Sequence, residues 1–252
     1  RLAPGGTLVE YTGGNTGTSL ALVCAARGIN ITLVSSDAFS QEKRDHMRAL
    51  GANVIEIPSE GGRTTKKVIQ AMVARAAEIC EQPGTFFADQ FNNRDALLGY
   101  STLAGEIWEQ TNGNVDAFVH SVGTAQSITG ITRVLRGFKS DIRVVAVEPA
   151  ESAVLTGGKP GAHKIEGVGP GFVPPLWEAS TADQIVSVST EEAMAMSRRL
   201  AREEALFVGT SSGANVVAAV REAESLGPGK TVVTLLCDSG MKYLSTTLYA
   251  TL

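Results

Sequence analysis

Cysteine is scarce in this chain. Cys24, Cys80 and Cys237 are widely separated, odd in number and free of any CxxC pair. This excludes a disulfide framework and a cysteine-ligated zinc site, and it fits a reducing cytoplasm. Histidine is equally thin: His46, His120 and His163 show no HExxH-type spacing, so metal catalysis finds no support and packing or surface roles are expected of them. A basic excess is missing too. Lys and Arg number 22 against 26 Asp and Glu, a formal charge of −4, which gives no electrostatic reason to expect nucleic acid or an anionic membrane as partner. No apolar run approaches the ~20 residues of a membrane span, and residues 1–6 lack the charged-then-apolar pattern of a signal peptide. There is no initiator Met, and Arg1-Leu-Ala-Pro-Gly-Gly6 leads almost at once into an apolar strand, which reads as a cut end. Small molecules remain as the expected partners of a cytoplasmic protein.

What is present suffices for a large core: 252 residues, 43% of them hydrophobic, enough for one large domain or two smaller ones. Residues 7–11 read as a strand, 12–17 as a Gly-rich turn, the following stretch through Arg27 as a helix and 29–34 as a second strand. Helical patterns follow at 41–50 and 66–80 around a short strand at 53–57. The alternation resumes with strand 115–122, turn 123–127, helix 128–138 and strand 142–147. Residues 157–175, rich in Gly and Pro, read as ordered loop. Helices at 191–204 and 211–224 flank an extended stretch at 206–208 and precede a buried strand at 231–236. Such alternation implies α/β architecture with open, largely parallel sheets covered by helices.

Ligands of open α/β sheets sit where strand ends meet helix starts. Three such turns stand out: Thr12-Gly-Gly-Asn-Thr-Gly17, Gly123-Thr-Ala-Gln-Ser127 and Gly209-Thr-Ser-Ser-Gly-Ala214. Each contains Gly and hydroxyls and opens a helix whose first N–H groups attract anions, so phosphate or carboxylate binding is expected. Turn and N-cap chemistry alone favours the same residues; it is the recurrence that points to a ligand. A dinucleotide site would suit Asp37 after the second strand, but Gly13, Gly14 and Gly17 do not form G-x-G-x-x-G. Gly229-Lys-Thr231 is no P-loop, because position 224 is Glu and a strand follows. Gly209-Thr-Ser-Ser-Gly213 fits a G-x-S-x-G nucleophile turn, yet every histidine precedes Ser211, whereas that fold places its base after the serine. An N-cap and a close-packed helix entry are expected there instead.

Several separated segments together resemble cysteine synthase and the catalytic core of cystathionine β-synthase, pyridoxal-phosphate enzymes of the β-family. They are Leu8-Val-Glu-Tyr-Thr-Gly-Gly-Asn-Thr-Gly17, Leu50-Gly-Ala-Asn53, Glu106-Ile-Trp-Glu-Gln-Thr-Asn-Gly113 and Val119-His-Ser-Val-Gly-Thr124. Val147-Glu-Pro149, His163-Lys-Ile-Glu-Gly-Val-Gly-Pro-Gly-Phe-Val-Pro174, Gly209-Thr-Ser-Ser-Gly-Ala214 and Asp238-Ser-Gly-Met-Lys-Tyr-Leu-Ser-Thr246 follow in order. The resemblance spans nearly the whole chain. It implies fold type II, the tryptophan synthase β-like arrangement of two α/β domains with the cofactor between them. Residues 1–90 would form the N-terminal domain and 91–252 the C-terminal one. It further implies a homodimer and replacement of a β-substituent on O-acetylserine or a related serine derivative, with sulfide giving cysteine. A dehydratase, a cystathionine-forming enzyme and a non-catalytic homologue are the alternatives.

Carried over by residue, the resemblance places Thr12, Gly13, Gly14, Asn15 and Thr16 around the substrate carboxylate, with Gln90 as a further contact. Asn15 would also meet the cofactor's ring hydroxyl. Gly123, Thr124, Ala125, Gln126 and Ser127 would cradle the cofactor phosphate, and Ser239 would face the pyridine nitrogen. A neutral hydroxyl there does not hold the nitrogen protonated, which weakens the ring as an electron sink and favours elimination. The chain departs from the family where T-S-G-N-T becomes Thr12-Gly-Gly-Asn-Thr16, and where G-T-G-G-T becomes Gly123-Thr-Ala-Gln-Ser127, with side chains where backbone is expected to approach phosphate. Phe91-Asn-Asn-Arg-Asp-Ala-Leu-Leu-Gly-Tyr100 replaces an Asn- and Pro-rich stretch, and Cys237 replaces a Pro. The family's Schiff-base lysine lies upstream of the first turn, so no catalytic residue is assigned within this chain. Lys43, Lys66, Lys67, Lys139, Lys159, Lys164, Lys230 and Lys242 stand in other contexts, most of them expected on the solvated surface. A fragment of a longer enzyme is the expectation.

Overall fold

The computed structural model describes residues 2–250. The chain divides into one unit formed by Arg1–Gln90 with Gly240–Leu252 and a second formed by Phe91–Ser239. The C-terminal segment, placed with the second domain from sequence, groups instead with the first unit, where Ser245 donates to both Glu42 oxygens and Tyr243 is buried.

In the first unit, β1 (Thr7–Tyr11), β2 (Asn30–Ser36), β3 (Asn53–Ile57) and β4 (Thr85–Phe87) form an all-parallel sheet in the order β3-β2-β1-β4. The helices α1 (Asn15–Arg27), α2 (Gln41–Ala49) and α3 (Lys66–Ile79) connect them. Strand alternation sends Ile31 and Leu33 of β2 to a core shared with Ala21 and Cys24 of α1 and Met47 of α2. On α3 the spacing of Val68, Ile69, Met72 and Ala76 gives one buried stripe, and its head is capped by Thr65, whose hydroxyl accepts from Val68 N.

The second unit repeats the plan. β5 (Ala117–Ser121), β6 (Arg143–Pro149), β7 (Gln184–Val188) and β8 (Val232–Thr234) are parallel in the order β7-β6-β5-β8. Phe118, Val144 and Ala146 point to one face, toward Ala104 of α4 (Ala96–Gln110) and Ile128 and Ile131 of α5 (Gln126–Phe138). Val119, Val145 and Val147 point to the other, toward Ala193 of α6 (Thr190–Glu203) and Ala214 and Val217 of α7 (Thr210–Leu226). Burial on both faces explains why these strands read as continuous apolar runs. Helix α6 starts in a capping box of Ser189 and Glu192.

Elements β4, β7 and α4 were not read as such from the sequence. Both strands lie at sheet edges, β4 has only three residues and β7 buries only Val188 of its five, while α4 carries Gly99 and Gly105 in its interior, which blurs the helical signal. Residues 157–175 contain no helix or strand, as expected.

Candidate active site

In the first unit the site grows from the end of β1. Thr12 extends the ladder, its N–H donating to Val34 O at 2.8 Å and its carbonyl accepting from Ser35 Oγ at 2.9 Å. Its own hydroxyl accepts from the N–H groups of Gly14 and Gly17, each at 3.0 Å, and the residue is 1% exposed. Thr12 therefore braces the turn from within, and Gly13, Gly14, Asn15 and Thr16 form its outer course. Gly14, the N-cap of α1, has φ 141° and supplies no side-chain cap, so the helix head keeps its affinity for an anion. A Cβ on Gly14 would overlap the Lys43 stem, and one on Gly13 would lie 2.8 Å from the Phe39 ring. Phe39 thus occupies the space that a serine side chain would need at position 13, which explains this departure from the family pattern.

Gln90 comes to the same turn from 74 residues away: its Oε1 accepts from Thr16 Oγ1 at 3.0 Å, and its Nε2 donates to Tyr11 O. Its backbone is held by Glu10, whose carboxylate oxygens accept from Tyr11 N at 2.9 Å and Gln90 N at 3.1 Å. Burial pushes the Glu10 carboxyl up to about 8, outweighing the two backbone N–H groups that favour its charge.

Two lysines also meet this turn. Lys242 Nζ donates to Asn15 Oδ1 at 3.0 Å. Lys43, 1% exposed, donates to Tyr243 Oη at 2.7 Å with its ammonium 4.2 Å from the ring centroid. Lys43 stands apart from the solvated surface expected of most lysines, because Tyr243 offers both an acceptor and a π-face. Glu10, Lys43 and Lys242 were all missed in the sequence. A Glu in the middle of an apolar strand was the available signal for the first; the lysine contacts span 200 and 227 residues and left none.

In the second unit the turn after β5 runs Gly123, Thr124, Ala125 into α5, which begins at Gln126. A Cβ on Gly123 would overlap the Gly167 carbonyl, so only glycine fits. Ala125 caps the helix in the left-handed region (φ 67°) without a side-chain cap. Its methyl belongs to the core cluster with Val122 and Ile128, and the buried Gln126 side chain extends toward Asn93 O at 3.5 Å. The side chains that replace two family glycines are thus accounted for by packing and by Asn93. Ser127 Oγ lies 2.9 Å from His120 Nε2. Ser239 pairs with Val208 in an isolated antiparallel bridge, and Gly209 N donates to Asp238 O at 3.2 Å, which fixes Ser239 beside the head of α7.

The third turn is structural. Gly209, not a serine, is the N-cap of α7, and a Cβ on Gly213 would overlap the Ala193 carbonyl of α6. Ser211 is 3% exposed and Ser212 Oγ accepts from Cys237 N at 2.8 Å. The N-cap and the close-packed helix entry expected of this turn are both present, with Gly209 as the cap and Gly213 letting α6 and α7 approach. Among the described residues no cluster of His, Cys, Asp or Glu is arranged to hold a metal ion, and no helix is long and apolar enough to cross a membrane.

Two parallel α/β sheets, each delivering a glycine turn to the head of a helix, define a class of proteins that bind anionic small molecules at strand ends. The chain matches the family model described as pyridoxal-phosphate dependent enzyme over residues 1–238. It is 40% identical to a cysteine synthase of Staphylococcus aureus (strain Mu50 / ATCC 700699), covering 99% of this chain and 79% of that protein. Among solved structures, O-ureido-L-serine synthase superposes with a TM-score of 0.91 at 37% identity, covering 99% of this chain and 78% of the other. The cysteine synthase of Entamoeba histolytica does so with 0.89 at 36%, covering 99% and 73%. This chain belongs to the pyridoxal-phosphate dependent enzymes of fold type II.

The residues present fit that cofactor. An ester dianion suits a helix head whose N-cap, Ala125, offers no side-chain cap, beside the hydroxyls of Thr124 and Ser127.

Proposed function

We propose that this protein catalyses β-replacement on O-acetylserine, with sulfide as nucleophile and cysteine and acetate as products. The observation that carries the reading is the bond between Thr16 and Gln90, two residues expected at the substrate carboxylate and distant in sequence, at the head of α1. The relatives' names supply the substrate class: cysteine synthase in Staphylococcus aureus, and O-acetylserine sulfhydrylase isoform 3 in Entamoeba histolytica at 39% identity.

Pyridoxal phosphate, when bound, supplies an electron sink for charge developing on the amino acid. The residues of this chain do the rest. Backbone N–H groups of Gly13, Asn15 and Thr16, with the Gln90 amide, bind the substrate carboxylate and orient its β-carbon for loss of acetate, while the Gly14 N–H stays on the Thr12 hydroxyl. Asn15, bonded to the Lys242 ammonium, would meet the ring hydroxyl of the bound cofactor. Gly123, Thr124, Ala125, Gln126 and Ser127 would hold its phosphate, and the neutral Ser239 hydroxyl would meet its ring nitrogen without keeping it protonated, which would favour elimination. The enzyme works as a homodimer in the cytoplasm. The test is to give the holoenzyme O-acetylserine and sulfide: cysteine and acetate in equal amounts, with a shift of the cofactor's visible band on O-acetylserine alone, are expected. An unshifted band and no cysteine would overturn the reading.

A further inference from the structure

Beneath the phosphate turn lies a chain of hydrogen bonds whose polarity is set by backbone. Asn215 of α7, 0% exposed, has its Oδ1 on Ser121 N at 2.8 Å and its Nδ2 on Leu235 O at 2.8 Å. An N–H must face the first and a carbonyl the second, so the amide has one allowed orientation. The other Nδ2 proton has His120 Nδ1 at 3.2 Å and Cys237 Sγ at 3.5 Å before it, and the ring nitrogen is the nearer and stronger acceptor. A nitrogen that receives a hydrogen bond carries no proton, so the proton of the neutral ring sits on Nε2. That Nε2–H points at Ser127 Oγ, 2.9 Å away, which must accept it. The Ser127 side chain makes no other hydrogen bond among the described residues, and its own proton is left to donate at the head of α5.

We propose that His120 is a positioning residue: relayed through Asn215 from the backbone, it holds the Ser127 hydroxyl as a one-way donor aimed at the cofactor phosphate. This rests on the reading of Gly123 to Ser127 as the phosphate turn. The ring is buried and its pKa is lowered to about 4 by desolvation, so the neutral form assumed above prevails at neutral pH. A hydroxyl that is free to rotate spends part of its time as an acceptor, which a phosphate dianion repels; the relay removes that state before binding, which is preorganisation.

The tests use binding as well as activity. In the 15N spectrum of the wild-type imidazole, His120 should be the Nε2–H tautomer with a bare Nδ1; the opposite tautomer, or an imidazolium at neutral pH, overturns the proposal without any variant. Ser127→Ala should weaken pyridoxal phosphate on the order of tenfold and leave pyridoxal, which has no phosphate, unaffected. If it changes neither, the phosphate reading of the turn fails. His120→Phe should reproduce the Ser127→Ala loss, and the double variant should lose no more than either alone. Full affinity in His120→Phe together with a loss in Ser127→Ala would sink the relay and leave the turn's role standing. Should His120→Phe not fold, the tautomer measurement decides alone.

Discussion

Glu10 and His120 occupy corresponding places in the two sheets. Each is the fourth residue of a strand flanked by the second and fourth strands of its unit, and each lies just before a glycine turn that opens a helix. Burial drives both toward neutrality, the acid up to about 8 and the base down to about 4. Their partners differ. Glu10 accepts from two backbone N–H groups and thereby fixes main chain, bringing Gln90 to the first turn. His120 lies between two side chains and fixes the direction of one hydroxyl at the second. On the proposed reading, the first turn binds a carboxylate with distant segments and needs its backbone held, whereas the second binds a phosphate with consecutive residues and needs only its donors aimed.

The sharpest way to break this comparison is at the glycines. Gly123→Ala meets a backbone carbonyl, Gly14→Ala the flexible stem of Lys43. By urea denaturation the first should cost about 3 kcal/mol and the second about 2, the latter including its positive φ. Equal costs would mean that the Gly167 carbonyl yields as easily as a side chain.

The two buried groups should pull stability in opposite directions with pH. The folded pKa of Glu10 lies above its unfolded 4.5, so the native state binds the extra proton and stability falls as pH rises from 4.5 through about 8. The folded pKa of His120 lies below 6.5, so the unfolded state binds the proton first and stability falls as pH drops from 6.5 toward 4. Each slope is at most about 1.4 kcal/mol per pH unit. In chemical denaturation across this range, Glu10→Gln should flatten the alkaline limb only and His120→Phe the acid limb only; a shared effect would contradict the assignment.

A smaller effect separates the turns by strain. Gly13→Ser should lose about 1 kcal/mol from crowding Phe39, which Phe39→Leu should partly recover; unchanged melting in Gly13→Ser would show that the ring swings aside freely. Smallest is the effect at the second turn. Ala125 holds a left-handed conformation that costs an L-residue about 1 kcal/mol, but Ala125→Gly also deletes a buried methyl worth about 0.8 kcal/mol, so the two should nearly cancel and stability of the second unit should change by less than about 1 kcal/mol.

Sequence periodicity and turn chemistry made the repeated α/β plan legible, because β5 and β6 are apolar on both faces and the turns carry Gly beside hydroxyls. The site was legible as turns but not as a machine. Thr12 looked like a rim residue, yet a hydroxyl two residues before Gly14 N and five before Gly17 N closes the turn on itself. Residues 240–252 looked like the end of the second domain, because nothing local tells that Tyr243 will cover Lys43. His120 looked like an ordinary buried histidine; its meaning depends on the orientation of Asn215, 95 residues later. Long-range side-chain pairs of this kind leave no periodic trace.

The central claim is that Gln90, brought by Glu10 to Thr16, binds the substrate carboxylate. Steady-state kinetics of Gln90→Ala test it most directly. The account predicts a KM for O-acetylserine raised on the order of tenfold or more, with pyridoxal phosphate affinity unchanged; an unaltered KM would contradict it.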